Sequence, residues 1–102
     1  MRNILLFLIL ATTASAGEVS GQRAAELENL VKQDCGACHG MTRKGGLGPD
    51  IRAKTLEGRD ADGLAQIIRD GIPDTAMPPW GPLLADEDIN WIAEYLLEES
   101  EE

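Results

Sequence analysis

Cys35-Gly36-Ala37-Cys38-His39 is the stretch whose residue types and spacing most clearly carry chemistry. Two thiols two residues apart can add across the two vinyl groups of a haem, and an imidazole directly after them can reach the iron. C-x-x-C-H is the attachment pattern of c-type haem. On a helical turn both sulfurs lie along one haem edge, and Gly36 and Ala37 are too small to obstruct it. Two other chemistries use such cysteines. A thioredoxin-like redox disulfide expects a βαβ setting, and the chain has no convincing alternating strand pattern. A structural zinc site needs four ligands. The chain offers two Cys and one His, so a carboxylate would have to complete the set. The expectation is one haem c, covalently held by Cys35 and Cys38, with His39 as the proximal ligand.

The second axial ligand follows by elimination. His39 is the only histidine. Met1 belongs to a leader, and Met41 is too close to His39 to cross to the other face of the ring. Met77 remains, in Asp74-Thr75-Ala76-Met77-Pro78-Pro79-Trp80, where the prolines restrict the backbone that holds its thioether. The rivals are an open position or a lysine, with Lys54 the foremost lysine. Gly45-Gly46-Leu47-Gly48-Pro49 lacks the residue order of a phosphate cradle. A tight loop against the haem accounts for its glycines, and one of its carbonyls can orient His39, since ligating histidines donate their second ring nitrogen to such groups. Trp80 follows the ligand loop, and its indole N–H suits either a haem propionate or plain packing. Trp91 and Tyr95, four apart, read as helix packing.

Three helices must position these residues. The first spans about Gln22 to Asp34, with Ala24, Leu27, Leu30 and Val31 on one face. The second spans about Ala61 to Asp70. Asp60 is its N-cap, Leu64, Ile67 and Ile68 form its stripe, and Gly71 stops it. The third spans about Glu87 to Glu98, with Asp86 as cap and Ile89, Ile92, Ala93 and Leu96 as its stripe. Residues 40–59 and 71–84 form long loops, of the length that wraps a site in a small domain. The expected fold is all-α, three main helices and long loops around one covalently bound haem.

Composition sets the frame. Residues 1–16 read as a cleaved signal peptide: Arg2, the apolar run Ile4–Ala11, then Ala14-Ser15-Ala16. That run is far shorter than the roughly 20 apolar residues a membrane span needs. Residues 17–102 then form one domain, with 98–102 an acidic frayed tail, exported to the periplasm and monomeric without stable membrane association. The net charge is −9, and losing Arg2 with the leader makes it −10. Such a charge excludes nucleic acid and favours a partner with a basic face. Four aromatics in the whole chain leave a modest core that something besides side chains should help to fill.

Together these residues resemble the class I cytochromes c, small single-haem proteins. The resemblance implies that the first and last helices cross beside the haem through Leu27, Val31, Ile92 and Tyr95. It also implies that the Pro49 carbonyl orients His39 and that Met77 is the second ligand. The stretches Gln33–Met41, Gly45–Pro49, Met77–Trp80 and Trp91–Ala93 are similar to the NirC-type cytochromes of denitrifying bacteria. That likeness implies a non-enzymatic, periplasmic electron carrier for the cytochrome cd-type nitrite reductase. Two other roles use the same haem: maturation of that reductase's haem d, or sensing through an open sixth position. For a carrier, the expected electron-exit edge is rimmed by Gly36, Ala37, Met41, Ala76 and Pro78.

Overall fold

A computed structural model of the chain describes residues 19–98. The proposed leader, its cleavage site and residues 99–102 lie outside the described residues, while Glu98 is the last residue of a helix. Helix α1 (Gly21–Leu30) starts at Ser20, whose hydroxyl accepts the Arg23 N–H at 3.1 Å and satisfies one orphan donor of the first turn. The helix does not stop near Asp34. It widens into a π turn (Val31–Cys35) and continues as α2 (Gly36–His39), so the backbone is helical through the whole cysteine–histidine motif. Such turns concentrate at functional sites because they re-aim the residues that follow. Gly40 ends the run at φ +91°, where an added Cβ would lie 2.6 Å from the Gly45 carbonyl oxygen.

Helix α3 (Ala61–Asp70) begins and ends as its sequence implies. The Asp60 carboxylate accepts the Gly63 N–H at 3.2 Å, and Gly71, at φ +69°, donates its N–H to the Ile67 carbonyl at 2.8 Å. Its buried side is Leu64, Ala65 and Ile68, with Ile67 half-buried. Helix α4 (Asp86–Glu98) opens one residue earlier than expected, and Asp86 is not its cap. Asp88 instead reaches back to accept the Ala85 N–H at 3.2 Å. Asp86 accepts from Arg69 Nε at 3.1 Å, which ties α4 to α3.

Helix α4 packs against both α3 and α1. Leu27, Val31, Ile89 and Ile92 are the most completely buried large side chains, and Ala93 and Leu96 extend the same core. Burying each such aliphatic side chain contributes about 1.5–3 kcal/mol. Three of the four crossing residues implied by the resemblance thus lie at the core. Tyr95 is half-buried instead: it stacks on Trp91 with centroids 4.9 Å apart and donates its hydroxyl to Glu28 at 3.0 Å. Among the described residues there is no strand, and the fold is all-α.

Candidate haem site

Two long loops and three helices leave a cavity of about 550 Å³ between them. Packed interiors tolerate few spaces larger than a water molecule, so this volume in so small a domain fits a prosthetic group. Cys35, Cys38, His39, Met77 and Trp80 all line it, and Leu64, Ile68, Ile92 and Leu96 supply apolar wall.

His39 is held in a defined state. Its Nδ1 lies 2.7 Å from the Pro49 carbonyl oxygen. A carbonyl can only accept, so Nδ1 carries the proton and the neutral ring keeps its lone pair on Nε2, the form that binds a metal. The glycine loop supplies the rest of the support. Gly48 N–H donates to the Cys38 carbonyl at 2.7 Å and Gly45 N–H to the His39 carbonyl at 2.8 Å. A Cβ on Gly48 would meet His39 Cε1 at 2.6 Å and Nδ1 at 2.7 Å, and one on Gly46 would meet the Cys38 oxygen at 2.9 Å. Glycine is needed here because backbone packs directly on the imidazole and on the motif. Asp50, next to Pro49, accepts from the Arg52 side chain and backbone, and that guanidinium holds its carboxyl well below the usual range.

The two thiols are half-buried and unbridged. Burial, with Asp34 adding to it, pushes the Cys35 thiol up to about 11. A thioredoxin-like pair sits in a βαβ setting, and among the described residues there is no strand to provide one, so that disulfide chemistry does not fit. Among the described residues no three His, Cys, Asp or Glu side chains converge as a metal cage, so zinc does not fit either. The residues do fit haem: paired thiols, an oriented imidazole and a thioether on one apolar cavity.

Met77 is half-buried on the cavity wall, whereas Lys54 is exposed and away from it. Trp80 is half-buried there too, and its backbone N–H closes on the Ile68 carbonyl at 3.0 Å. Gly36 is not a rim residue. It is buried beneath Met41, whose sulfur would be 3.1 Å from an added Cβ, while Ala37, Met41, Ala76 and Pro78 are exposed. Arg59, for which the sequence implies no role, is among the residues that line the cavity. No local motif marks it, because its place depends on the path of the loop before α3.

Comparison with known proteins agrees with this geometry. The family described as cytochrome C oxidase, cbb3-type, subunit III matches residues 22–96, from α1 to the end of the α4 stripe. Cytochrome c55X of Paracoccus denitrificans (strain Pd 1222) is 53% identical over 96 residues, covering 94% of this chain and 93% of that protein. The chain belongs to the cytochrome c family. Within it, this cytochrome is a small NirC-like monohaem protein. The solved structure of the c-type cytochrome NirC superposes with a TM-score of 0.77 at 39% identity, over 80% of this chain and 96% of the other. The class I fold implied by the resemblance is therefore the fold observed. A third relative is far longer: dihydro-heme d1 dehydrogenase of Pseudomonas aeruginosa is 33% identical over 93 residues, 91% of this cytochrome but 18% of that protein. The family makes this cytochrome a haem-based electron carrier in a denitrification setting, not an enzyme. Among the described residues no helix is long and apolar enough to cross a membrane.

Proposed function

We propose that this cytochrome is a periplasmic one-electron carrier with a single haem c, attached through Cys35 and Cys38 and ligated by His39 and Met77, that delivers electrons to a cytochrome cd-type nitrite reductase. The observation that carries the reading is the His39–Pro49 hydrogen bond, which commits Nδ1 and leaves Nε2 as a ligand atom on a cavity shared with both thiols and Met77. Bound there, haem supplies a ferrous/ferric couple whose potential a thioether ligand raises. The chain's own part is to hold that couple still. The glycine loop fixes the imidazole, the proline-bounded loop presents the thioether, and the aliphatic walls of α3 and α4 keep water out. Residues 1–16 act as the cleaved export signal in this reading.

A reductant-difference spectrum of the purified protein tests it, with three variants beside the wild type. Cys35→Ala or Cys38→Ala should yield little holoprotein. Met77→Ala should keep its haem, lose the weak red charge-transfer band of the ferric state and show a lower potential. Normal haem loading in both cysteine variants overturns the attachment, and an unchanged Met77→Ala spectrum moves the ligand elsewhere, with Lys54 next.

One observation favours a second reading. The similarity to a segment of dihydro-heme d1 dehydrogenase supports a part in maturing the reductase's haem d. A deletion strain separates the two: reductase lacking haem d supports maturation, whereas reductase with its full cofactor and slow turnover supports the carrier.

A further inference from the structure

The loop between α3 and α4 must present one thioether without regular secondary structure to hold it. Its backbone closes on itself, because the Ile72 N–H donates to the Met77 carbonyl at 3.2 Å. Inside that ring Thr75 makes three hydrogen bonds. Its N–H and its hydroxyl both donate to the Ile72 carbonyl, at 3.2 and 2.7 Å, and the same hydroxyl oxygen accepts the Met77 N–H at 3.2 Å. A hydroxyl can donate and accept at once, so one atom braces the ring from start to finish. Asp74, at φ +65°, provides the left-handed turn before it. Gly71 closes the base, where a Cβ would strike the Met77 carbonyl oxygen at 2.7 Å. Beyond Met77, Trp80 and Gly81 N–H groups dock on the Ile68 and Arg69 carbonyls of α3. Both backbone polar groups of Met77 are thus committed, and the side chain that bonds its N–H is Thr75.

We infer that Thr75 is the positioning residue of the ligand loop: its hydroxyl sets how firmly the Met77 thioether is presented, and so how easily an outside ligand takes its place. This rests on Met77 being the axial ligand. Ala76 and Pro78 have no polar side-chain atom to share the task. Thr75 is exposed and outside the aliphatic core, so its loss should act on the loop and leave the global fold intact.

The test uses ferric holoprotein titrated with imidazole, followed by absorption, with chemical unfolding of the same samples. Thr75→Val keeps the shape and removes both hydroxyl bonds. Imidazole affinity should rise roughly ten-fold, the ratio that one or two net hydrogen bonds command. Thr75→Ser should stay near the wild type, and the unfolding midpoint should not move. If Thr75→Val fails to load haem, Thr75→Ala makes the same comparison with less bulk. Met77→Ala is the reference. If it binds imidazole no more tightly than the wild type, the ligand reading itself fails. If it binds far more tightly while Thr75→Val matches the wild type, the ligand stands and the positioning role is wrong. A gain in Thr75→Val that Thr75→Ser shares, or that tracks a lowered unfolding midpoint, also overturns it.

Discussion

Position 48 has no room for a methyl group. A Cβ there would press on His39 Cε1 at 2.6 Å, and the ring cannot swing aside freely while its Nδ1 is bonded to Pro49 at 2.7 Å. Gly48→Ala must therefore shift the loop or break that bond, an overpacking cost of about 1–3 kcal/mol. The expected outcome is a holoprotein with an unfolding midpoint well below the wild type and a changed potential. Gly21 is the control, since nothing lies within 4 Å of an added Cβ and the residue opens α1. Gly21→Ala should leave both properties alone or stabilise slightly. Equal effects at the two positions would mean that the imidazole contact is not what matters. Position 48 also shows what a sequence can tell at this scale. The ligand motif is legible because its three side chains fall within five consecutive residues. The Pro49 acceptor needed the family resemblance, and the burial of Gly36 under Met41 could not be read at all, because it depends on how the chain turns back after Gly40.

At the scale of elements, propensity and capping residues located α3 and the α4 stripe, but two features escaped. The π turn over Val31–Cys35 has no compositional mark. The sequence implies a helix from about Glu87 capped by Asp86, yet α4 starts at Asp86 because other partners decide: Arg69 takes Asp86, and Asp88 serves both Ala85 and Arg23. Arg23 donates to the Asp88 carboxylate at 3.2 and 2.9 Å, joining α1 to α4 across 65 residues of sequence. Those hydrogen bonds, with the Ala85 N–H behind them, hold the Asp88 carboxyl below its ordinary value. A carboxylate whose folded value lies below its unfolded one, about 3.9, stabilises the fold above that pH and loses the contribution as the pH falls through the folded value. Asp88→Asn keeps the shape but not the charge. It should cost about 1–2 kcal/mol at neutral pH, a range that allows for the partial exposure of Arg23. The gap should close as the pH drops below about 4. Urea unfolding of both proteins at neutral and acid pH checks this, and a gap that does not depend on pH would assign the loss to packing.

The whole molecule carries its charge and its apolar contact surface separately. Eighteen acids face nine Lys and Arg in the sequence. Arg23, Arg52 and Arg69 are paired with carboxylates, and such pairs are neutral at long range, so the net negative charge comes from the acids left over. Several of the exposed residues lining the cavity are apolar: Leu47 is 78% exposed and Ile72 45%, with Ala76 and Pro78 also in the lining, while Asp34, Thr55, Arg59 and Thr75 are the exposed polar members. Charge of one sign acts over about a Debye length, roughly 30 Å at 0.01 M salt and 10 Å at 0.1 M, whereas an apolar patch acts only at contact. For a carrier that meets a partner with a basic face, the first speeds encounter and the second seats the complex without holding it long. Reduction of a cytochrome cd-type nitrite reductase should therefore slow by about an order of magnitude as salt rises over that range. Replacing Leu47 by Ser should lower the rate at every salt concentration and leave the salt slope unchanged, because it removes contact and no charge. Stopped-flow reduction across a salt series measures both. A rate that stays flat or increases with salt would leave the acidic charge a role in solubility alone. A Leu47→Ser slope that differs from the wild type would mean that contact and steering are not separate on this surface.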